Sequence, residues 1–183
     1  DEVNNFQGVA TEKSTLSSAD EPQVGIYLNE QNLSKLGWYI DRKATMTATG
    51  RAKDGACTYH VRYTLTDTLT AVEQAACNGH ILGGVQSGVN GQIVGGLGIS
   101  VQRMLFYAPA GGKIGDITSV GDVKDQRTAT MNGQDVTTNV AYLYPWKSVT
   151  FEFDVTTSTK AKTDLTIDQS LSGKMTNDVD YRY

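Results

Sequence analysis

The sequence predicts a mostly β protein, namely a β-sandwich of about eight short strands with one or two short helices. Short runs of alternating or β-branched residues recur along the 183-residue chain, and turn-forming residues separate them. No long amphipathic helical pattern interrupts these runs. An eight-stranded barrel has the same periodicity, so both architectures stay open at this point.

The N-terminal part of the chain is predicted to be a polar arm followed by a strand and a helical turn. Residues 1–22 are polar and are expected to form an arm or linker, whereas residues 24–29 have the composition of a short strand. Residues 30–36 predict one or two helical turns, with Asn29 as the N-cap and Gly37 as the stop.

The clearest strand of the sequence covers residues 57–65. Cys57, Tyr59, Val61, Tyr63 and Leu65 alternate with polar residues, so one face should be buried and the other wet. A preceding extended run covers 38–40 and 45–49, and a short helix capped by Thr70 is expected over residues 70–76.

The C-terminal half is predicted to consist of a glycine-rich loop and further strands. Residues 79–98 are dense in glycine, which favours a mobile or tightly turning loop that could carry recognition. The strands expected after it are 99–107, a weaker one within 114–120, 136–144, 146–157 and 165–167. The sequence therefore predicts one domain over residues 23–175 and a C-terminal tail over 176–183.

Charge and hydropathy exclude several classes of partner. The net charge is −4, and the basic residues are scattered without a stripe, so the sequence does not indicate nucleic-acid binding. No apolar run approaches the roughly 20 residues that a bilayer span needs, so no membrane contact is expected from this part of the protein. The chain opens without a signal-peptide pattern, and we expect it to be a fragment whose targeting segment or transmembrane anchor lies upstream.

The two cysteines, Cys57 and Cys77, are predicted to form a disulfide. Each lies at the edge of a well-marked element, and a single bridge of this kind would indicate an extracellular protein. Two buried free thiols are the alternative. Their spacing does not match a redox or zinc motif, so neither redox catalysis nor a metal site is expected.

The chain carries no recognisable catalytic signature. The glycine-rich run lacks the phosphate-binding patterns, and no nucleophile elbow is present, so no cofactor is expected. Neither His60 nor His80 has a catalytic spacing, and Glu152 and Asp154 share a face that is expected to meet solvent. The sequence therefore favours a protein without catalytic activity but leaves an enzyme open.

Aromatic residues are the best candidates for a ligand site. Exposed Trp and Tyr side chains serve carbohydrate-binding domains as stacking platforms, and here Trp38, Tyr144 and Trp146 are the candidates. The alternative is that these residues anchor the core of a sandwich, where aromatic strand residues are common.

Four segments of the chain are distinctive when taken together and in order. They are VGIYLNEQNLSKLGWYID, CTYHVRYTLTDTL, ISVQRMLFYAPAGG and LYPWKSVTFEFDVTT. Together they resemble a family of actinobacterial envelope proteins defined by the domain of unknown function DUF4012. The first and third are similar to its VGVYLND…SKM-x-YYLD segment and its strand and turn ending in P-x-G-G. The second departs from the family's pattern by a shorter gap after Cys57 and at Asp67, where Asn is usual, and the fourth departs from it at Trp146, where Gly is usual.

The resemblance covers roughly residues 24–170 and implies the C-terminal part of a longer surface protein on a Gram-positive actinobacterial cell. It brings no established catalytic residues. We therefore expect an extracellular, cell-surface module with a structural, adhesive or binding role near cell-wall polysaccharide or a surface protein. The alternative is an accessory or catalytic domain of an enzyme that acts on cell-wall glycan.

Overall fold

A computed structural model describes residues 17–83, 97–131, 134–170 and 177–183. Within these ranges the chain forms strands joined by short helices. The strands are β1 (Gln23–Glu30), β2 (Ile40–Arg51), β3 (Cys57–Asp67), β4 (Ser100–Tyr107), β5 (Lys113–Ile114), β6 (Thr118–Val120), β7 (Asp122–Met131), β8 (Gln134–Leu143), β9 (Ser148–Thr156), β10 (Thr166–Gln169) and β11 (Asn177–Arg182). The helices are a 3-10 turn (Leu36–Tyr39), α1 (Ala71–Ala76) and α2 (Gly79–Leu82).

The strands form two sheets, which confirms the predicted β-sandwich. The first sheet has the order β10-β1-β4-β8-β7. The second has the order β11-β2-β3-β9, and both β5 and β6 pair with β9. All pairs are antiparallel except β1 with β10 and β2 with β11, so the last two strands each add a parallel edge to one sheet.

The core lies between the sheets and is built from the inward faces of both. On β3 the predicted alternation is confirmed, since Tyr59, Val61, Tyr63 and Leu65 are all buried. Phe106 of the first sheet packs against Phe151 of the second with ring centroids 5.1 Å apart, within the range of favourable aromatic pairs.

Buried tyrosine hydroxyls add polar links between the sheets. The Tyr63 hydroxyl, from β3, donates to Gln169 Oε1 of β10 at 2.9 Å, and the Tyr59 hydroxyl donates to Asp164 Oδ1 at 3.0 Å. Burial raises the pKa of Tyr63 to about 12, so its hydroxyl stays a donor at neutral pH.

The predicted disulfide is wrong: Cys57 and Cys77 are both free thiols. Cys57 opens β3 and packs against the main core, whereas Cys77 follows α1, beyond the opposite end of β3, and packs against a small separate cluster. Because β3 has 11 residues, it holds its ends about 33 Å apart. A disulfide needs Cα atoms about 4.4–6.8 Å apart, so the bridge cannot form in this fold.

Two strands and two helical segments differ from the sequence-based expectation. One of these segments is α2 (Gly79–Leu82), which lies at the start of the predicted glycine-rich loop. The 3-10 turn lies at Leu36–Tyr39, later than the helical turns expected over residues 30–36. The strand β7 was not predicted, because nearly all of its residues are exposed and show no alternation. In the expected C-terminal tail, residues 177–182 form β11 beside β2. Most of the predicted arm and residues 84–96 of the glycine-rich loop lie outside the described residues.

None of the helices in the described part of the chain is long and apolar enough to cross a membrane.

Candidate functional site

The connections 31–39, 68–83, 97–99 and 144–147 lie at one end of the sandwich, which we call the loop end. The strand register places them together. Glu30 at the end of β1 pairs with Gln102 near the start of β4, and Ser100 pairs with Leu143 at the end of β8. In the second sheet Ile40, at the start of β2, pairs with Asp67 at the end of β3.

The loop end carries most of the exposed large hydrophobic side chains among the described residues. Both tryptophans of the chain are among them, although tryptophan is on average a well-buried residue. A concentration of exposed apolar side chains at one end of a fold is a candidate interaction site. The exposed residues at the loop end are Leu33, Trp38, Val72, Leu97, Tyr144 and Trp146.

The three predicted ligand-binding residues all lie at this end. Trp38 is 56% exposed within the 3-10 turn, and Trp146 is 63% exposed in the β8–β9 turn. The two turns are linked through Asp67, because the Trp146 backbone N–H donates to the Asp67 carbonyl and Asp67 pairs with Ile40. The Tyr144 hydroxyl donates to Asp122 at 3.0 Å, so this ring is oriented by a hydrogen bond.

Trp146 has a backbone conformation that tryptophan rarely adopts. Its φ is 61°, in the left-handed region. The Lys147 N–H closes the turn onto the Tyr144 carbonyl at 2.9 Å, and Pro145 occupies the second position. This is the residue pattern of a type II turn, whose third position has positive φ and is usually glycine. A non-glycine residue there costs about 1–2 kcal/mol.

A second feature of the loop end is an open depression of about 440 Å³ lined by Glu30, Ser34, Lys35, Gly37 and Trp38. Its volume falls within the range of ligand pockets. Glu30 is the one carboxylate among these lining residues.

Buried polar side chains of β4 hold the Glu30 carboxylate in place. Gln102 Nε2 donates to Oε2 at 2.6 Å, and the Ser100 hydroxyl donates to Oε1 at 3.2 Å. From the rim, the Ser34 hydroxyl donates to Oε1 at 3.0 Å. Gln102 and Ser100 are almost completely buried, and Gln102 Nε2 also donates to Ser100 Oγ at 2.8 Å. The carboxylate is therefore fixed before any ligand arrives.

Burial raises the pKa of the Glu30 carboxyl above its ordinary value of 4.5. The hydrogen bonds from Ser34, Gln102 and Ser100 act in the opposite direction, since they favour the ionised form, but burial is the largest cause. Perturbed carboxyl groups in concave sites are candidates for functional roles.

Two further residues line the depression beside Glu30. Gly37 lies next to the carboxylate, since a Cβ built there would lie 3.6 Å from Glu30 Oε2, in ordinary van der Waals contact. Lys35 is exposed, and no ion pair joins it to Glu30 within the described ranges.

Beneath the loops, a small apolar cluster fixes the positions of the rim and the helices. Leu36, Leu69 and Leu82 are buried together, with Tyr39 and Cys77 packed against them. Because Leu36 and Tyr39 belong to the same 3-10 turn as Trp38, the cluster anchors that turn.

The two helices of the loop end are held by side-chain caps at their first residues. The predicted Thr70 cap is confirmed: its hydroxyl accepts from the Glu73 N–H, and Glu73 completes a capping box. Asn78 caps α2 through the His80 and Ile81 N–H groups.

Glu30 was missed in the sequence because its partners lie far along the chain. It reads as the first residue of a helical turn, whereas Ser100 and Gln102 read as ordinary strand positions. Only the β1–β4 pairing brings them together, about seventy residues apart.

The side chains that the sequence placed on the wet face of β3 do lie at the surface. His60 Nδ1 lies 2.9 Å from Asp154 Oδ1, and Arg62 pairs with Glu152. Exposed pairs of this kind contribute little stability. The described residues contain no group of three or more His, Cys, Asp or Glu side chains able to hold a metal ion.

Comparisons with protein-family models, curated proteins and solved structures found no match to this chain. The resemblance to the DUF4012 family therefore stays a prediction.

Proposed function

We propose that this domain is a carbohydrate-binding module that recognises its ligand through the loop end. The observation that carries the proposal is Trp146, an exposed tryptophan held at a turn position that favours glycine. Glycine would make the same turn without strain, so folding gives tryptophan little advantage there. Backbone strain of this kind is concentrated at functional sites.

The mixture of groups at the loop end fits a sugar better than a purely apolar ligand. A pyranose ring has a C–H face that packs on aromatic rings, and its rim of hydroxyls forms hydrogen bonds. Trp38 lines the same depression as the Glu30 carboxylate and the Ser34 hydroxyl, so both kinds of contact are available side by side. Binding sites with an apolar lining and a few fixed polar groups follow the same principle.

We also propose that the module acts outside the cell, near cell-wall polysaccharide. The free thiols remove the argument from a disulfide. Support for this location therefore comes from the resemblance of residues 24–170 to the envelope-protein family, together with the carbohydrate chemistry of the loop end.

The proposal is tested with cell-wall polysaccharides and a glycan array, using intrinsic tryptophan fluorescence. Because the chain has two tryptophans and both lie at the loop end, the emission reports on this end alone. We expect a bound glycan to shift the emission to shorter wavelength, and we expect Trp38→Ala and Trp146→Gly each to weaken retention of that glycan at least about tenfold.

A matched control is Tyr183→Ala, which removes another exposed aromatic ring away from the loop end. This variant should bind glycan as the unmodified protein does. Equal binding by all three variants, with the fold intact by circular dichroism, would refute the proposal.

Glu30 also gives specific support to the alternative of a glycan-cleaving enzyme. A carboxyl with a raised pKa can act as a general acid. Glycosidases use a pair of carboxylates about 5–10 Å apart, however, and Glu30 is the one carboxylate that lines the depression. Release of new reducing ends from a bound glycan, lost in Glu30→Gln, would favour the enzyme over the binding module.

A further inference from the structure

Resting on the proposed function, we infer that the depression at Glu30 and Trp38 selects a saccharide with a free, positively charged amino group. The ligand class is an amino sugar whose nitrogen is not acetylated. The ammonium group would lie between the Glu30 carboxylate and the exposed face of Trp38.

The first step of the argument is the charge of the site. The Glu30 carboxylate accepts hydrogen bonds from neutral groups, namely the side chains of Ser34, Ser100 and Gln102 and the Val101 backbone. In the described part of the chain, no lysine, arginine or histidine forms an ion pair with it. A carboxylate withdrawn from water without a cation is costly, and a cationic ligand would offset that cost.

The second step is that the site is built for a carboxylate. Gln102 and Ser100 are almost completely buried, and both direct their donors at Glu30. The packing of β4 itself requires neither a buried amide at Gln102 nor a buried hydroxyl at Ser100. The paired donors fix a carboxylate that lines an open depression, and a fixed charge binds a ligand at lower entropic cost than a mobile one.

The third step is the neighbouring aromatic ring. Trp38 lines the depression and is exposed, so its face is available to a ligand. A cation over an indole face is attracted by the ring quadrupole, and tryptophan is the best aromatic partner for a cation. A carboxylate and a tryptophan in one depression therefore both favour an ammonium group over an acetamide.

Lys35 is the group that opposes this selection. It lines the same depression, and its positive charge repels a cationic ligand. Because Lys35 is exposed, its effect is screened by solvent and salt more strongly than that of the half-buried Glu30. Replacing Lys35 should therefore increase the preference for the free amine, whereas replacing Glu30 should remove it.

The experiment compares a glucosamine tetrasaccharide with its fully N-acetylated counterpart, by titration of the tryptophan emission at mildly acidic pH, where the sugar amines are protonated. We expect the unmodified protein to bind the free-amine form about tenfold more tightly, as charge-assisted hydrogen bonds are roughly twice as strong as neutral ones. Glu30→Gln should remove this preference, and Lys35→Ala should increase it. Gly37→Ala should reduce it, since the added methyl group partly covers Glu30 Oε2.

The outcomes separate this inference from the proposed function. If both tetrasaccharides bind equally, or if Glu30→Gln keeps the preference, the selection of an amino group is refuted while the carbohydrate-binding module stands. If neither saccharide binds but a lysine-containing peptide binds with the same dependence on Glu30, the saccharide class is refuted. If no glycan changes the emission in any variant, both proposals fail together.

Discussion

Replacing Trp146 by glycine and by alanine tests the claim that the turn is strained. Both substitutions remove the indole ring, so their difference isolates the backbone. At a residue with φ of 61°, glycine avoids a steric cost of about 1–2 kcal/mol but loses about 0.5–1 kcal/mol more entropy on folding. We therefore expect Trp146→Gly to be about 0.5–1 kcal/mol more stable than Trp146→Ala.

The loss of the ring itself should outweigh the relief of backbone strain by a modest amount. Trp146 is 63% exposed, so about a third of a surface of roughly 250 Å² is covered, or about 80 Å². At about 25 cal/mol per Å² the covered surface contributes up to about 2 kcal/mol. The free energy of unfolding of Trp146→Gly should thus lie at most about 1.5 kcal/mol below that of the unmodified protein, while the variant loses glycan binding.

The assay is urea-induced unfolding followed by far-ultraviolet circular dichroism, since the emission changes when a tryptophan is removed. The control is the same pair of substitutions at Trp38, which lies in a 3-10 turn and is not among the residues with positive φ. There alanine should be the more stable variant by about 0.5–1 kcal/mol. If Trp146→Ala is as stable as Trp146→Gly or more stable, the strain argument is refuted.

Four further predictions follow from the core, the thiols and the buried carboxyl. The pKa of Glu30 is raised in the folded protein, so its ionisation opposes folding; the free energy of unfolding should fall as pH rises from the ordinary value of 4.5 through the raised one. Glu30→Gln should remove that fall in urea titrations at several pH values, and a pH-independent difference between the two proteins would contradict it. Thiol titration in denaturant without reductant should detect both Cys57 and Cys77, and a result of zero thiols would contradict the free state. Phe106→Ala should destabilise the fold by about 3–5 kcal/mol in chemical unfolding, because the ring packs between both sheets. Gly112→Ala should destabilise it by more than about 1 kcal/mol, because a Cβ there would lie 2.3 Å from the Thr156 carbonyl oxygen; an unchanged unfolding midpoint would show that the contact relaxes freely.

The strands that could be predicted from the sequence are those with one buried and one wet face. On β3 every second residue from Tyr59 to Leu65 enters the core, so the hydrophobic period and the burial coincide. On β7 there is no such period, since an edge strand with almost no buried side chain leaves no hydrophobic signal. The strand β11 is short and polar, and its pairing with β2 is set by the topology.

The aromatic residues of the candidate site could be predicted from the sequence, whereas its carboxylate could not. Trp38, Tyr144 and Trp146 could be found because their side chains are chemically conspicuous, and they lie at one end of the fold. Glu30 could not be found, because its role depends on side chains brought to it by strand pairing. The predicted disulfide was wrong because the spacing of the two cysteines in the sequence does not show that the extended strand β3 separates them in space.

The parallel edge strands bear on how the protein folds during synthesis. Gln23 at the start of β1 pairs with Thr166, and Arg42 of β2 pairs with Asn177, so each sheet receives an outer strand from a part of the chain that is synthesised much later. Until then the open edges of β1 and β2 are exposed to pairing with other chains. Long-range pairing of this kind also slows folding. A nascent chain stalled before residue 166 should therefore remain sensitive to protease and dependent on chaperones. It should become resistant to protease once β10 and β11 have emerged.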